Sequence, residues 1–156
     1  MLHTAYQYPG PAAVRYPRGT GVGSEIITEM SILPLGQAEV VAEYGTAPYA
    51  VSILAFGSRV YPCMAVAEQL AEQLNIAVRV VNMRYVKPID HRMIQQCALD
   101  SNLLVTVEEH AVMAGAGSAV NESLIAQALS VPCLNIGLSD QFLAQATHTQ
   151  ILSTST

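Results

Sequence analysis

Charged residues are scarce in this 156-residue sequence: they make up 12% of it against 51% hydrophobic residues, where about 25% charged is usual for a soluble globular domain. Such a chain either has an unusually apolar surface or normally has part of that surface covered. Basic residues are the scarcest, seven Lys and Arg against twelve Asp and Glu for a net charge of −5, and apart from Arg15 and Arg18 they are scattered. That excludes the basic face a nucleic-acid partner requires. No apolar run approaches the roughly 20 residues that span a bilayer. The opening MLHTAYQYPG has neither the basic nor the apolar region of a secretory signal, so a soluble, cytoplasmic protein with no membrane partner is expected. The three cysteines, Cys63, Cys97 and Cys133, form no Cys-x-x-Cys pair and sit in apolar surroundings. They read as small buried hydrophobes in a reducing compartment. His3, His91, His110 and His148 lack metal-ligand spacing relative to one another or to the cysteines, and no metal site is expected. Internal repeats and low-complexity tracts are also missing.

What is present suits one domain with an appendage. Residues 1–23 crowd together tyrosine, proline and glycine, a composition that builds no core and reads as an arm; within it 12–16 is a candidate short strand. Residues 24–34 read as a linker. From residue 35 the pattern is regular. Strands are expected at 38–44 and 50–56, joined by a turn at 45–48 as a hairpin. A helix follows at 61–74, with Met64, Ala67, Leu70, Ala71 and Leu74 inward and Glu68, Gln69, Glu72 and Gln73 outward. A strand at 77–82, a helix at 92–99 capped by Asp90, a strand at 103–107, a helix at 118–128 and a strand at 131–137 complete the series. Strands alternating with helices in this way imply parallel pairing through crossovers. The expected fold is a three-layer α/β/α domain with a mostly parallel five-stranded sheet and one antiparallel edge strand.

Chemistry-capable residues concentrate in LLVTVEEHAVMAGAGSAVNES, residues 103–123, which reads as a strand, an acidic exit, a glycine turn and a helix. The carboxyl end of a strand leading to a helix amino terminus is where open α/β sheets usually meet ligands and partners. Glu108 and Glu109 are candidates for acid–base work, yet neighbours on a strand point to opposite faces; one is expected to bind at the sheet edge while the other is solvated or caps the coming helix. His110 is expected at a surface or interface. Gly115 and Gly117 resemble the start of a dinucleotide fingerprint, but Val120 stands where the third glycine belongs, and close helix–strand packing explains them equally. Ser58 lacks the Gly-x-Ser-x-Gly elbow of a nucleophile and is expected to cap the helix that follows. Asn121-Glu122-Ser123 fits a glycosylation sequon, without other signs of secretion. In AVRYPRG, the arginine fork of Arg15 and Arg18 suits a phosphate or carboxylate; an interdomain salt bridge accounts for it as well.

Six segments in order, GPAAVRYPRGTGVG, LPLGQAEVV, ILAFGSRVYP, VNMRYVKPID, LLVTVEEHAVMAGAGSAVNES and VPCLNIGLSDQF, make the sequence resemble the carboxy-terminal part of the 1-deoxy-D-xylulose-5-phosphate synthase family, thiamine-diphosphate enzymes of the transketolase superfamily. The resemblance runs from Gly10 to about Phe142. It implies homodimeric enzymes much longer than this chain, which use thiamine diphosphate and Mg2+ to decarboxylate pyruvate and pass a two-carbon unit to glyceraldehyde 3-phosphate. Residues 1–23 would be the tail of the pyrimidine-binding domain, 24–34 a linker and 35–156 the transketolase C-terminal-like domain. The amino-terminal and pyrimidine-binding domains would be missing partners. No Gly-Asp-Gly motif and no counterpart of the activating glutamate is found, so no cofactor on this fragment alone, no catalytic residue in it and no independent activity are expected. By resemblance, Arg18 binds the substrate phosphate, with Arg15 a weaker candidate. Glu108, Glu109, His110, Gly115, Gly117 and Asn121 belong to a signature turn that implies interdomain and dimer contacts. The sequence departs from the family pattern at His110, usually asparagine, at Ala114 and Ala119, usually glycine, and through residues 139–146. The helical ending typical of the family is also not evident after Thr147, which would leave apolar sheet surface less well covered. The competing reading is an independent α/β module that takes a nucleotide or other anion at its glycine turn, and a third is a purely structural oligomerisation domain.

Overall fold

The computed structural model describes residues 1–17, 23 and 28–142. Five strands form one sheet in the order β1-β3-β2-β4-β5: β1 Glu39–Tyr44, β2 Tyr49–Ala55, β3 Val78–Asn82, β4 Ser101–Ala111 and β5 Cys133–Leu138. All neighbours are parallel except β1, which runs antiparallel to β3. This is the expected mostly parallel sheet with one antiparallel edge strand. The period-2 alternation of each strand separates two cores. Leu54, Val81 and Leu104 face α3 (His91–Asp100) and α4 (Ala116–Ala126), while Ile53, Ala55, Val78 and Val80 face α2 (Val60–Leu74). Asp90 caps α3 as expected, its Oδ1 accepting the Met93 N–H at 3.0 Å. On α2, Cys63 and Ala67 are buried and Glu68, Gln69, Glu72 and Gln73 are exposed, as the helical spacing requires; Leu74, at the last turn, is exposed rather than packed.

Four expectations are corrected. Residues 38–44 and 50–56 are not a hairpin, because β2 is a central strand whose two sides are taken by β3 and β4; β1 passes over and pairs with β3 instead. Residues 12–16 form no strand, having no pairing partner between Pro11 and Pro17, and the arm's regular element is the short helix α1, Leu2–Gln7. There Thr4 Oγ1 is buried and accepts the Leu33 N–H at 3.0 Å. The acidic pair does not end β4, which continues to Ala111 and resumes pairing with β5 at Leu138 after an irregularity. The strand can run on because both carboxylates are satisfied there. Finally, α4 begins two residues early, at Ala116, and stops at Ala126, leaving Ala128 beyond its end with a left-handed φ of 53°.

The path of the chain locates the site. From β2 the chain moves through α2 to β3 on one side, then through α3 back across to β4 on the other side of β2. Strand order therefore reverses between β2 and β4, and in open α/β sheets the crevice at the carboxyl ends of such a pair is the usual meeting place for ligands.

Candidate functional site

Glu108 organises the carboxyl edge. Its side chain turns to the α4 face and is buried, 5% exposed, where Oε2 accepts the Ala116 N–H at 2.7 Å and Oε1 accepts the Gly117 N–H at 2.8 Å. A carboxylate placed on the first amides of a helix satisfies donors that have no intrahelical partner and meets the positive end of the helix dipole. The glycines make the approach possible. A Cβ on Gly115 would lie 2.5 Å from Glu108 Oε2, and one on Gly117 would lie 2.6 Å from Thr106 Oγ1. Close packing, and not a dinucleotide, is the reason for these glycines. The chain's own carboxylate already occupies the amides that an external anion would use, which removes the physical basis for a nucleotide-binding module at this turn.

Glu109 turns to the opposite face, as adjacent strand residues must, and pairs with Arg59 Nη2 at 2.5 Å. The two carboxylates thus do separate work and do not share a substrate. His110 is exposed, its Nδ1 3.2 Å from the Ala111 carbonyl oxygen. Asn121 lies half-buried on α4. Ala114, in the turn between them, has φ 56°, a left-handed conformation that favours glycine. Ser58 is not a helix cap: it sits in a 3-10 turn, Gly57–Arg59, and α2 starts from Arg59 with no side-chain cap. The Ser58 hydroxyl, Arg59 Nε and the Tyr85 hydroxyl are buried at this edge with no hydrogen-bond partner among the described residues. Arg15 is exposed in the arm, away from any ion pair with the described residues; Arg18 lies outside the described residues.

Comparison with known proteins gives the family. The transketolase, C-terminal domain family matches residues 36–155. This chain belongs to that family. Among curated proteins it is 56% identical over 97% of its length to a 1-deoxy-D-xylulose-5-phosphate synthase of Acinetobacter baumannii, and 47% identical over 98% to one of Nitrosomonas eutropha. The chain spans 24% and 23% of those proteins, so about a quarter of their length. Among solved structures it is similar to a split gene transketolase described as an inactive beta4 tetramer, with a TM-score of 0.70 and 30% identity over 85% of this chain and 41% of that one. The resemblance read from six sequence segments is therefore shown, and the family's fold is the one observed.

The family implies thiamine diphosphate in the intact enzyme. The sequence contains no Gly-Asp-Gly, and no cluster of three His, Cys, Asp or Glu among the described residues is arranged to hold a metal ion.

At the amino-terminal edge lies a constellation the sequence reading missed. Arg79, 3% exposed on β3, donates through Nη1 and Nη2 to the two oxygens of Asp100 at 3.0 and 2.9 Å and through Nε to Glu43 Oε1 at 3.1 Å. Its guanidinium stacks 4.1 Å from the Tyr49 ring centroid, and the Tyr49 hydroxyl donates to Glu43 Oε1 at 2.6 Å. The Tyr49 hydrogen bond, followed by Arg79, holds the Glu43 carboxyl below its usual range. A lone arginine inside the apolar run VRVVN was the available signal, since a buried cation needs paired carboxylates.

Proposed function

We propose that this chain acts as the carboxy-terminal domain of a thiamine-diphosphate- and Mg2+-dependent 1-deoxy-D-xylulose-5-phosphate synthase. That transferase joins two carbons of pyruvate to glyceraldehyde 3-phosphate, with loss of CO2, in isoprenoid precursor and thiamine biosynthesis in the cytoplasm. The single observation that carries the reading is the 56% identity extending over nearly the whole chain. The geometry supports a contact role over a chemical one. Glu108 is fully used in holding α4, Glu109 is paired, and the turn they brace displays Met113, 68% exposed, and His110. In this reading residues 1–23 belong to the pyrimidine-binding domain, 24–34 link it to 35–156, and the turn from Glu108 through Asn121 meets the remaining domains of the enzyme. Arg18, with Arg15 in support, contacts the substrate phosphate by planar, bidentate hydrogen bonding. The family neighbour described as a tetramer of one chain supports self-association here as well.

The test is kinetic. The chain alone, supplied with thiamine diphosphate and magnesium, is expected to leave pyruvate untouched, and turnover by it would overturn the assignment of chemistry to other domains. In an enzyme carrying this domain, Arg18→Ala is expected to raise KM for the phosphorylated aldehyde by about tenfold or more, the loss of one charge-assisted bond of roughly 1.5–3 kcal/mol, with KM for pyruvate little changed. Equal effects on both substrates would count against the phosphate role.

A further inference from the structure

The two edges of the sheet are finished differently. β1 carries Glu39 and Glu43 within six residues, and charge on an edge strand opposes pairing with another chain. β5 reads CLNIGL, with no charge and no proline. The Leu104 N–H donates to the Pro132 carbonyl at 2.9 Å, and Leu104, Val105, Thr106 and Val107 pair in register with Cys133 through Ile136. Alternation along the strand then turns the backbone groups of Cys133, Asn135 and Gly137 away from β4, where no strand of the described residues pairs with them. On the α2 side, β5 exposes Leu134 by 53% and Ile136 by 44%, bordering an apolar groove floored by Val105 and Val107 and walled by Val66 of α2.

We propose that β5 pairs antiparallel with β5 of a second copy of this chain, about a two-fold axis through Asn135. This rests on the self-association proposed above and names its surface. The strand is self-complementary. That axis sets Asn135 against its own copy, Cys133 against Gly137 on the α4 face, and Leu134 against Ile136 on the groove face. No bulky pair collides and no like charges meet, which matters for a chain of net charge −5 whose copies repel elsewhere. The outward N–H and C=O groups of both copies gain partners, and the two apolar grooves become continuous. An isologous contact of this kind closes on itself.

Light scattering of the full chain over a concentration series, combined with amide hydrogen exchange, tests the proposal. A dimer is expected, with the Cys133, Asn135 and Gly137 amides protected at high concentration and released on dilution. Asn135→Pro is expected to abolish both the dimer and this protection while the monomer still melts cooperatively, because that N–H points away from β4 and proline is tolerated at such an edge position. The paired substitution Leu134→Lys with Ile136→Lys, at exposed positions, is expected to do the same. A chain that stays monomeric overturns both self-association and its surface. A dimer that neither variant weakens leaves self-association standing and overturns β5 as the contact. Protection of these amides in a monomer assigns the edge to other residues of the same chain and overturns the proposal too.

Discussion

The amino-terminal edge of the sheet closes on itself, whereas the carboxyl edge does not. At the amino end Arg79, Asp100, Glu43 and Tyr49 satisfy one another around a buried guanidinium, and the hydroxyls of Ser52 and Ser101 meet at 2.7 Å. At the carboxyl end Glu108 is equally well satisfied by α4, yet Ser58 Oγ, Arg59 Nε and the Tyr85 hydroxyl are buried without partners among the described residues. Unpaired buried polar groups cost stability, and they persist where something other than stability is selected. The difference teaches that, among the described residues, one end of this domain satisfies its own buried polar groups and the other does not; under the function proposed above, further protein completes the second.

The largest expected effect breaks the closed end. Arg79→Met removes the cation from between Asp100 and Glu43 and is expected to cost about 3 kcal/mol, the low end for breaking a buried pair because both carboxylates reach solvent; urea unfolding measures it. At the open end, Glu108→Gln keeps the shape but sets an amide N–H2 against one of the two α4 N–H donors. A loss of about 2 kcal/mol is expected, in the range for one unsatisfied buried donor. If Arg79→Met proved the milder of the two, the division of labour between the edges would be wrong. Ala114→Gly sharpens the comparison in the other direction. It relieves a left-handed φ that costs an alanine about 1 kcal/mol, so melting should occur at higher temperature.

The smallest effect is read from pH. The folded Glu43 carboxyl is held below its usual range, by Tyr49 first and then Arg79, so the stabilisation it brings is complete above the ordinary glutamate value of about 4.3. It is lost as pH falls through the lower folded value. Tyr49→Phe removes the hydroxyl donor, and the difference in melting temperature between wild type and Tyr49→Phe is expected to be constant near neutrality and to shrink below about pH 4.3. A difference that grew with acid would contradict the direction of the shift.

The thiols follow the same logic: burial raises Cys63, Cys97 and Cys133, in accord with their reading as small hydrophobes, although Cys133 is only half-buried. The scarcity of charge also finds its place in the structure. Part of the sheet's α2-side face, at Leu134 and Ile136 beside the groove, is apolar and exposed.

What the sequence determined by itself is local and periodic. Apolar alternation and helical spacing placed every strand of the sheet and the three helices packed on it to within a few residues, Asp90 announced its cap, and the parity of adjacent strand residues already separated Glu108 from Glu109. Six ordered segments also carried the family. What only the tertiary structure decided is who pairs with whom across sequence distance. Residues 38–44 and 50–56 are close in sequence and look like a hairpin, but β2 binds two parallel neighbours and leaves β1 to β3. The pair Glu108 and Glu109 looked like the end of a strand until the amides of Ala116 and Gly117, supplied by a turn eight and nine residues from Glu108, made the burial of Glu108 favourable. Arg79 was hidden because its partners Glu43 and Asp100 lie 36 and 21 residues away. Pattern in a sequence reports which face a residue must bury, since that depends on its immediate neighbours. The partner that makes a buried charge tolerable comes from another element, and only the packed fold brings the two together.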